Sequence, residues 1–182
     1  MRKFQFASLV LAASVFTGTA NADILITEVA DPNNEFGARF VELYNSGASG
    51  VDLTNWDLER YSNGGTSPTA IDLSSIGTLA AGDFAIIANS GDYNTQFGDT
   101  PDITNSTVSG NGDDVYQLVD DSSTAIDVYG EIGTDGTGTA WEYEDGRAER
   151  KDTVTAANGG TFNASNWNID NDSGGGAGAQ NA

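Results

Sequence analysis

The sequence predicts an all-β protein that folds as an antiparallel β-sandwich of seven to nine strands. Short runs rich in β-branched and aromatic residues recur at fairly even spacing along the chain. Turn-forming residues, mainly Gly, Asn, Asp and Ser, separate these runs. We find no convincing amphipathic helix that would cover a parallel sheet. Strands without covering helices bury their apolar faces by packing one sheet on another.

The first half of the chain supplies most of the predicted strands. In one of them, Val41 and Leu43 lie on one face, whereas Phe40, Glu42 and Tyr44 lie on the other. The last run of this half is nearly all apolar, which is typical of a central strand. The predicted strands cover residues 23–30, 39–45, 51–53, 56–61, 70–73 and 84–89, with a weaker apolar position at Leu79.

The second half begins with a polar connection, residues 90–113, which we expect on the surface with one helical turn near residues 93–97. Two hairpins follow, the first from residues 114–120 and 125–130 and the second from residues 140–144 and 149–154. Trp56 is the candidate core tryptophan.

The two ends of the chain differ in composition from the domain between them. Arg2 and Lys3 precede an apolar run that is shorter than the ~20 residues of a membrane-spanning helix. Small residues then end this segment at Ala22, so residues 1–22 predict a cleaved signal peptide. The Gly-rich residues 171–182 predict a flexible tail. We therefore expect a domain at 23–170 in the periplasm or outside the cell, with no membrane insertion of the mature chain.

Composition excludes several classes of function. The chain has 27 acidic and 7 basic residues, and its formal net charge is −20. This charge argues against a nucleic-acid partner, because phosphates require a basic surface. The chain also lacks cysteine and histidine, which excludes disulfides, histidine-activated nucleophiles and imidazole metal sites. Self-repulsion predicts that salt or divalent cations stabilise the fold.

An ordered set of short motifs resembles the bacterial lamin tail domain family. It comprises Ile-Thr-Glu-Val at 26–29, Phe-Val-Glu-Leu-Tyr-Asn at 40–45, Val-Asp-Leu at 51–53 and Trp-Asp-Leu at 56–58, with further runs at 79–87, 112–120 and 126–130. The resemblance implies an immunoglobulin-like β-sandwich that acts as a non-catalytic interaction module. Residues 140–151 are similar to versions attached to secreted bacterial nucleases.

Residues 31–42 contain the best candidate for a metal site. Oxygen-bearing residues occupy positions 1, 3, 5 and 12 of this run, the spacing of a calcium loop: Asp31, Asn33, Glu35 and Glu42. Phe36 stands where an EF-hand loop requires glycine, and strands rather than helices flank the run, which argues against a true EF-hand. A looser calcium site and a plain polar hairpin loop are the two remaining interpretations.

Three other sets of residues are candidates, each with a structural alternative. Paired carboxylates can hydrolyse glycosides, but the spacing of the glutamates near the strands selects no pair: Glu28, Glu42, Glu131, Glu142 and Glu144. Five aromatic residues either form a platform for sugar rings or cover the ends of the sandwich: Trp141, Trp167, Tyr61, Tyr93 and Tyr143. Acidic loop clusters are expected as turn residues: Asp99, Asn111, Asp113 and Asp114, and Asp170 with Asp172.

These observations predict an exported, calcium-stabilised binding module that is not an enzyme. Its expected target is a surface polymer such as a glycan, a partner protein or a second copy of the chain. The first alternative is an accessory domain of an extracellular nuclease system. The second is a small glycan hydrolase that uses carboxylates. The structural alternative to such a catalytic pair is that Glu28 and Glu42 are neighbours at strand ends, hydrogen-bonded to backbone or to Arg39 or Arg60.

Overall fold

The computed structural model describes residues 24–32 and 35–171. The predicted signal peptide, Asn33 of the predicted calcium loop and residues 172–182 of the predicted tail lie outside them. The described residues form these strands: β1 Ile24–Ala30, β2 Phe40–Asn45, β3 Val51–Asp52, β4 Asp57–Tyr61, β5 Thr69–Asp72, β6 Thr78–Leu79, β7 Phe84–Ala88, β8 Ile103–Thr104, β9 Val115–Val119, β10 Ala125–Tyr129, β11 Arg147–Arg150 and β12 Trp167–Asp170.

The strands form two main sheets and one small one. The six-stranded sheet has the order β12-β11-β1-β2-β7-β8, and the four-stranded sheet has the order β10-β9-β4-β5. β3 and β6 form a separate two-stranded sheet. All neighbours pair antiparallel except β7 and β8. This arrangement confirms the predicted β-sandwich. The strands outnumber the predicted seven to nine because three of them are two residues long.

The main core lies between the two large sheets. Val41 and Leu43 are fully buried there, as the alternation in β2 predicts. At one end of the core the ring of Tyr129 makes edge-on contacts with four other rings: Trp141, Tyr143, Phe162 and Trp167. Trp56 is only partly buried beside the core. The tryptophans of the core are therefore Trp141 and Trp167, and the prediction of Trp56 was wrong.

A β-bulge in β1 decides which side chains of that strand face outward. The pairing register between β1 and β2 shifts between Ile26 and Glu28. An unbroken alternation would put Ile24, Ile26 and Glu28 on the same face. The extra residue, Thr27, turns Glu28 to the outer face and brings Val29 into the core.

A buried ion pair satisfies the backbone of the bulge. Asp127 on β10 accepts a hydrogen bond from the Ile26 N–H at 2.8 Å, and Arg150 on β11 donates to the Ile26 carbonyl at 2.7 Å. Arg150 and Asp127 also pair with each other. The guanidinium of Arg150 lies 4.6 Å from the ring centroid of Trp167. The bulge, both sheets and the aromatic core are thus joined at one point.

The predicted hairpin of residues 140–144 and 149–154 is wrong. Residues 140–144 are turns, and β11 pairs with β1 on one side and β12 on the other. Asp145 has a positive φ of 53°, and a Cβ at Gly146 would lie 2.5 Å from the Asp170 carbonyl oxygen. The chain therefore enters β11 through a turn packed against the end of β12. The alternating aromatic pattern of 140–144 instead brings Trp141 and Tyr143 into the core.

A short helix, α1 (Asp92–Phe97), covers one end of the outer face of the six-stranded sheet. The ring centroid of Tyr93 lies 5.2 Å from that of Phe40, and Phe97 lies 5.3 Å from Phe40. This confirms the predicted helical turn and leaves the other end of the outer face uncovered by helix. Within the described residues, no helix is long and apolar enough to span a membrane.

Candidate functional site

The uncovered end of the outer face carries a groove of about 510 Å³. We call it the outer groove. Its floor consists of side chains from the central strands of the six-stranded sheet: Leu25, Thr27, Glu28, Glu42, Tyr44 and Phe84. Glu149 on β11 lies where the floor meets the wall. The wall itself consists of Ser46, the last residue of β11 and the segment that follows it: Arg150, Lys151, Asp152, Val154 and Thr155.

An aromatic pair, one ring exposed and the other half-buried, forms one end of the floor. Tyr44 and Phe84 are opposite each other on β2 and β7, and their ring centroids are 4.5 Å apart with an interplanar angle of 31°. Phe84 is 55 % exposed. The exposure arises because β8 pairs only with Ile87 and Ala88, so β7 is an edge strand at Phe84. An exposed apolar ring beside a groove indicates a contact surface.

Three glutamates form a row across the floor beside this pair. Glu28 is directly opposite Glu42 on β2 and directly opposite Glu149 on β11. The Arg147 guanidinium lies 3.3 Å from the Glu28 carboxylate and 3.9 Å from that of Glu149. Glu42 accepts a hydrogen bond from the Thr27 hydroxyl at 2.7 Å. The bulge therefore assembles the row by turning Glu28 outward.

Burial makes two of these carboxyl groups weak acids. The side chain of Glu28 is only 14 % exposed. Desolvation raises the pKa of Glu28 to about 7, even though Arg147 lowers it, and the charges of Glu42 and Glu149 raise it further. Desolvation also raises the pKa of Glu42, against the hydrogen bond from Thr27. The groove floor thus holds one carboxyl group, that of Glu28, that exchanges its proton near neutral pH.

The wall of the groove is held in place by polar contacts. The Ser46 hydroxyl donates to the Thr155 carbonyl at 3.0 Å, which ties the end of the wall to the end of β2. The Lys151 ammonium donates to the Ser165 carbonyl at 2.8 Å. Arg150 is fixed by its ion pair with Asp127. The wall is therefore held at its start by Arg150 and Lys151 and at its end by Thr155.

The described members of the predicted calcium loop lie in different surroundings. Asp31 is buried and its Oδ1 lies 2.6 Å from Arg39 Nε. Glu42 belongs to the groove floor, and Glu35 is exposed. Within residues 24–32 and 35–171, no group of three or more acidic side chains is placed to hold a metal ion. Because Asn33 lies outside the described residues, the calcium loop stays a prediction.

Asp99 and Asn111 make the local contacts expected of turn residues, whereas Asp113 and Asp114 are buried and contact residues distant in sequence. Asp114 accepts from Asn63 N–H at 2.8 Å and pairs with Arg60 at 2.9 Å. Asp113 accepts from Thr137 at 3.2 Å, and Asp99 accepts from Thr100 N–H at 2.8 Å. Asn111 also donates to Asp113 at 3.4 Å. Asp170 is opposite Arg147 in the sheet, and Asp172 lies outside the described residues.

Of the five candidate glutamates, Glu28 and Glu42 are brought together, as predicted, but they lie within β1 and β2 rather than at strand ends. Their expected arginine partners were wrong, because Arg39 pairs with Asp31, Arg60 pairs with Asp114, and Glu28 pairs with Arg147. The remaining three lie outside the groove: Glu131, Glu142 and Glu144.

The predicted aromatic platform is not on the surface. All five of its candidates are at most 7 % exposed, and four belong to the main core: Tyr61, Trp141, Tyr143 and Trp167. Tyr93 is the buried residue of α1 and packs on the outer face of the six-stranded sheet. The aromatic pair of the groove, Tyr44 and Phe84, was not among the candidates. The outward position of Tyr44 in the alternation of β2 was the available signal.

The arginines of the described chain all pair with carboxylates: Arg39 with Asp31, Arg60 with Asp114, Arg147 with Glu28 and Arg150 with Asp127. These pairs lie in the interior or on the sheet rather than in a basic surface stripe.

The two-sheet architecture, together with a groove on one sheet face, defines an immunoglobulin-like domain of the kind that binds partners. Comparison with known families gives the more specific assignment. The lamin tail domain family matches residues 17–133, so the chain belongs to that family. Comparison with the curated proteins gives no match.

The outer groove combines residues from inside and outside the matched region. Its floor lies within residues 17–133, whereas Glu149 and the wall residues 150–155 lie beyond them. Family membership supports a binding or interaction module in general. The chemistry of the groove depends on residues of this chain both inside and outside the matched region.

Proposed function

We propose that the protein is an exported, non-catalytic binding module whose outer groove holds a surface carbohydrate polymer. The observation that carries this proposal is the Tyr44–Phe84 pair next to the glutamate row. Sugar rings have apolar faces that pack on aromatic rings and hydroxyl groups that donate to carboxylates. The groove offers both types of contact on a rigid sheet. Export is supported by the composition of residues 1–22.

Phe84→Ala tests the proposed ligand surface. We expect wild-type protein to retain soluble glycans from a defined panel without cleaving them. The variant should bind at least about tenfold more weakly, because burial of a phenyl ring contributes about 1.5–3 kcal/mol. Isothermal titration with the retained glycan measures the change.

Phe36→Ala is the matched control. Phe36 is 53 % exposed, nearly the same as Phe84, but it is not part of the groove and packs on Arg39. It should bind like the wild type. An equal loss of glycan affinity in Phe84→Ala and Phe36→Ala would refute the proposal. So would a wild type that binds no glycan. If a protein partner bound through Phe84 and no glycan did, the target of the groove would be a protein and not a glycan.

Glycan hydrolysis is a second candidate because the structure pairs Glu28 with Glu42 across neighbouring strands. Directly opposite residues on antiparallel strands have Cβ atoms about 5 Å apart, which is compatible with the short carboxylate separation of retaining glycosidases. A pKa of about 7 would allow Glu28 to serve as the acid. Product release from the glycan panel that disappears in Glu28→Gln and Glu42→Gln would favour this candidate over binding alone.

An accessory role beside an extracellular nuclease remains the other alternative. The pairing of the described arginines with carboxylates is an argument against direct contact with DNA. Binding of duplex DNA at physiological salt would favour the accessory role.

A further inference from the structure

The charge of the outer groove is not balanced by its own side chains. Glu28 and Glu149 share the guanidinium of Arg147. Glu42, in contrast, has the neutral hydroxyl of Thr27 as its hydrogen-bond partner, and no ion pair reaches it among the described residues. A partly buried carboxylate without a cation is destabilised by desolvation. A positive group on a ligand would be stabilised at this position.

The aromatic pair lies at a suitable distance for a ligand that also contacts Glu42. Glu42 and Tyr44 are on the same face of β2, and residues two apart on a strand are separated by ~7 Å. This separation is close to the width of one sugar ring. A ring that stacks on Phe84 and Tyr44 would therefore direct a substituent on its edge towards Glu42.

The charge of the whole molecule selects the same type of ligand. The chain carries a formal net charge of −20, which repels polyanions and attracts polycations during encounter. A neutral sugar would leave the glutamate row unbalanced. An ammonium group would pair with Glu42 and reduce its repulsion with Glu28, and its interaction with the aromatic faces would also be favourable.

We propose that the outer groove selects carbohydrate units that carry a free amine, stacking the sugar ring on Tyr44 and Phe84 and pairing its ammonium group with the carboxylate of Glu42. This inference rests on the proposed glycan-binding function and specifies the chemical class of the sugar.

The test compares two oligosaccharides of equal length, a glucosamine hexamer and its fully N-acetylated counterpart. The full chain is titrated with each by calorimetry in slightly acidic buffer, where the amine is protonated. We expect the glucosamine hexamer to bind about tenfold more tightly, the usual effect of one charge-assisted hydrogen bond. Glu42→Gln should bring the ratio of the two affinities close to one. Glu131→Gln, which removes an exposed carboxylate outside the groove, should preserve the ratio.

The outcomes separate this inference from the proposed function. Equal binding of both hexamers, weakened in Phe84→Ala, would overturn the amine preference and retain glycan binding. Absence of binding to both hexamers and to the wider glycan panel would overturn both proposals. A lysine hexapeptide that binds in a Glu42-dependent manner while the glucosamine hexamer does not bind would overturn the inference in favour of a basic protein segment.

Discussion

Glu28 lies in the middle of β1 with its carboxyl group between Glu42 and Glu149, and Arg147 is its only ion-pair partner within 4 Å in the described chain. Desolvation raises its pKa from the ordinary 4.5 to about 7. The folded protein therefore binds this proton more tightly than the unfolded chain does. The stabilisation is fully present below pH 4.5 and is lost as the pH rises from 4.5 to about 7.

Replacing Glu28 by Gln should remove the loss of stability that the wild type shows as the pH rises. At about pH 8 we expect Glu28→Gln to exceed the wild type in the free energy of unfolding by up to about 3 kcal/mol, and at acidic pH the two should converge. Urea unfolding across the pH range measures the difference. Glu131→Gln is the control and should follow the wild type throughout. If the free energy of unfolding of Glu28→Gln varied with pH in parallel with that of the wild type, the raised pKa of Glu28 would be contradicted.

At the scale of elements, β11 and β12 are integral to the sandwich even though they lie outside residues 17–133 of the family match. β11 pairs with the whole second half of β1. The same region contributes Trp141 and Trp167 to the core, where they are 3 % and 4 % exposed. Removing one large core aromatic typically costs about 3–5 kcal/mol, a large part of the ~5–15 kcal/mol that stabilises a domain.

A chain that ends after Gly133 should therefore not fold. We expect it to lack a cooperative thermal transition by circular dichroism, whereas a chain that ends after Asn171 melts cooperatively. A sharp melt of the shorter chain would show that the matched region is a complete domain.

The calcium loop is a second prediction at this scale. If residues 31–42 bind calcium, millimolar calcium should raise the melting temperature relative to chelator by several degrees. Glu35→Gln should reduce the increase, because Glu35 is exposed and available as a ligand. Magnesium at the same concentration controls for general screening. An unchanged melting curve in calcium would refute the site.

The strands were predictable wherever alternation continued without interruption. β2 follows the simple period of two. β9 and β10 were found from their β-forming residues and the turn between them, although the register of their pairing shifts between Ala125 and Asp127. The outward position of Glu28 was not predictable, because the bulge that turns it depends on Asp127 and Arg150, which are distant in sequence. Likewise, the aromatic alternation of residues 140–144 cannot distinguish a strand from a turn segment packed into the core. The glutamate row was therefore only partly visible in the sequence.

At the scale of the whole molecule, charge is the dominant property. The arginines of the described chain are already paired with carboxylates, so most of the excess negative charge has no basic partner within the fold. Mutual repulsion of these carboxylates raises the free energy of the compact state and is screened by salt.

Salt should consequently stabilise the protein. Between about 10 mM and about 500 mM sodium chloride, where the Debye length falls well below the size of the domain, we expect the melting temperature to rise by several degrees. Scanning calorimetry in both buffers measures the shift. A melting temperature that falls with salt would show that attractive pairs dominate the electrostatics.

Lys151 gives the groove a useful chemical property. It is the only lysine beyond Lys3 in a chain without cysteine, and its side chain lines the wall of the outer groove. A chain that lacks residues 1–22 can therefore react with an amine-reactive fluorophore only at Lys151 and at its own α-amino group. Occupation of the groove could then be followed optically in the wild-type sequence, without engineering a labelling site.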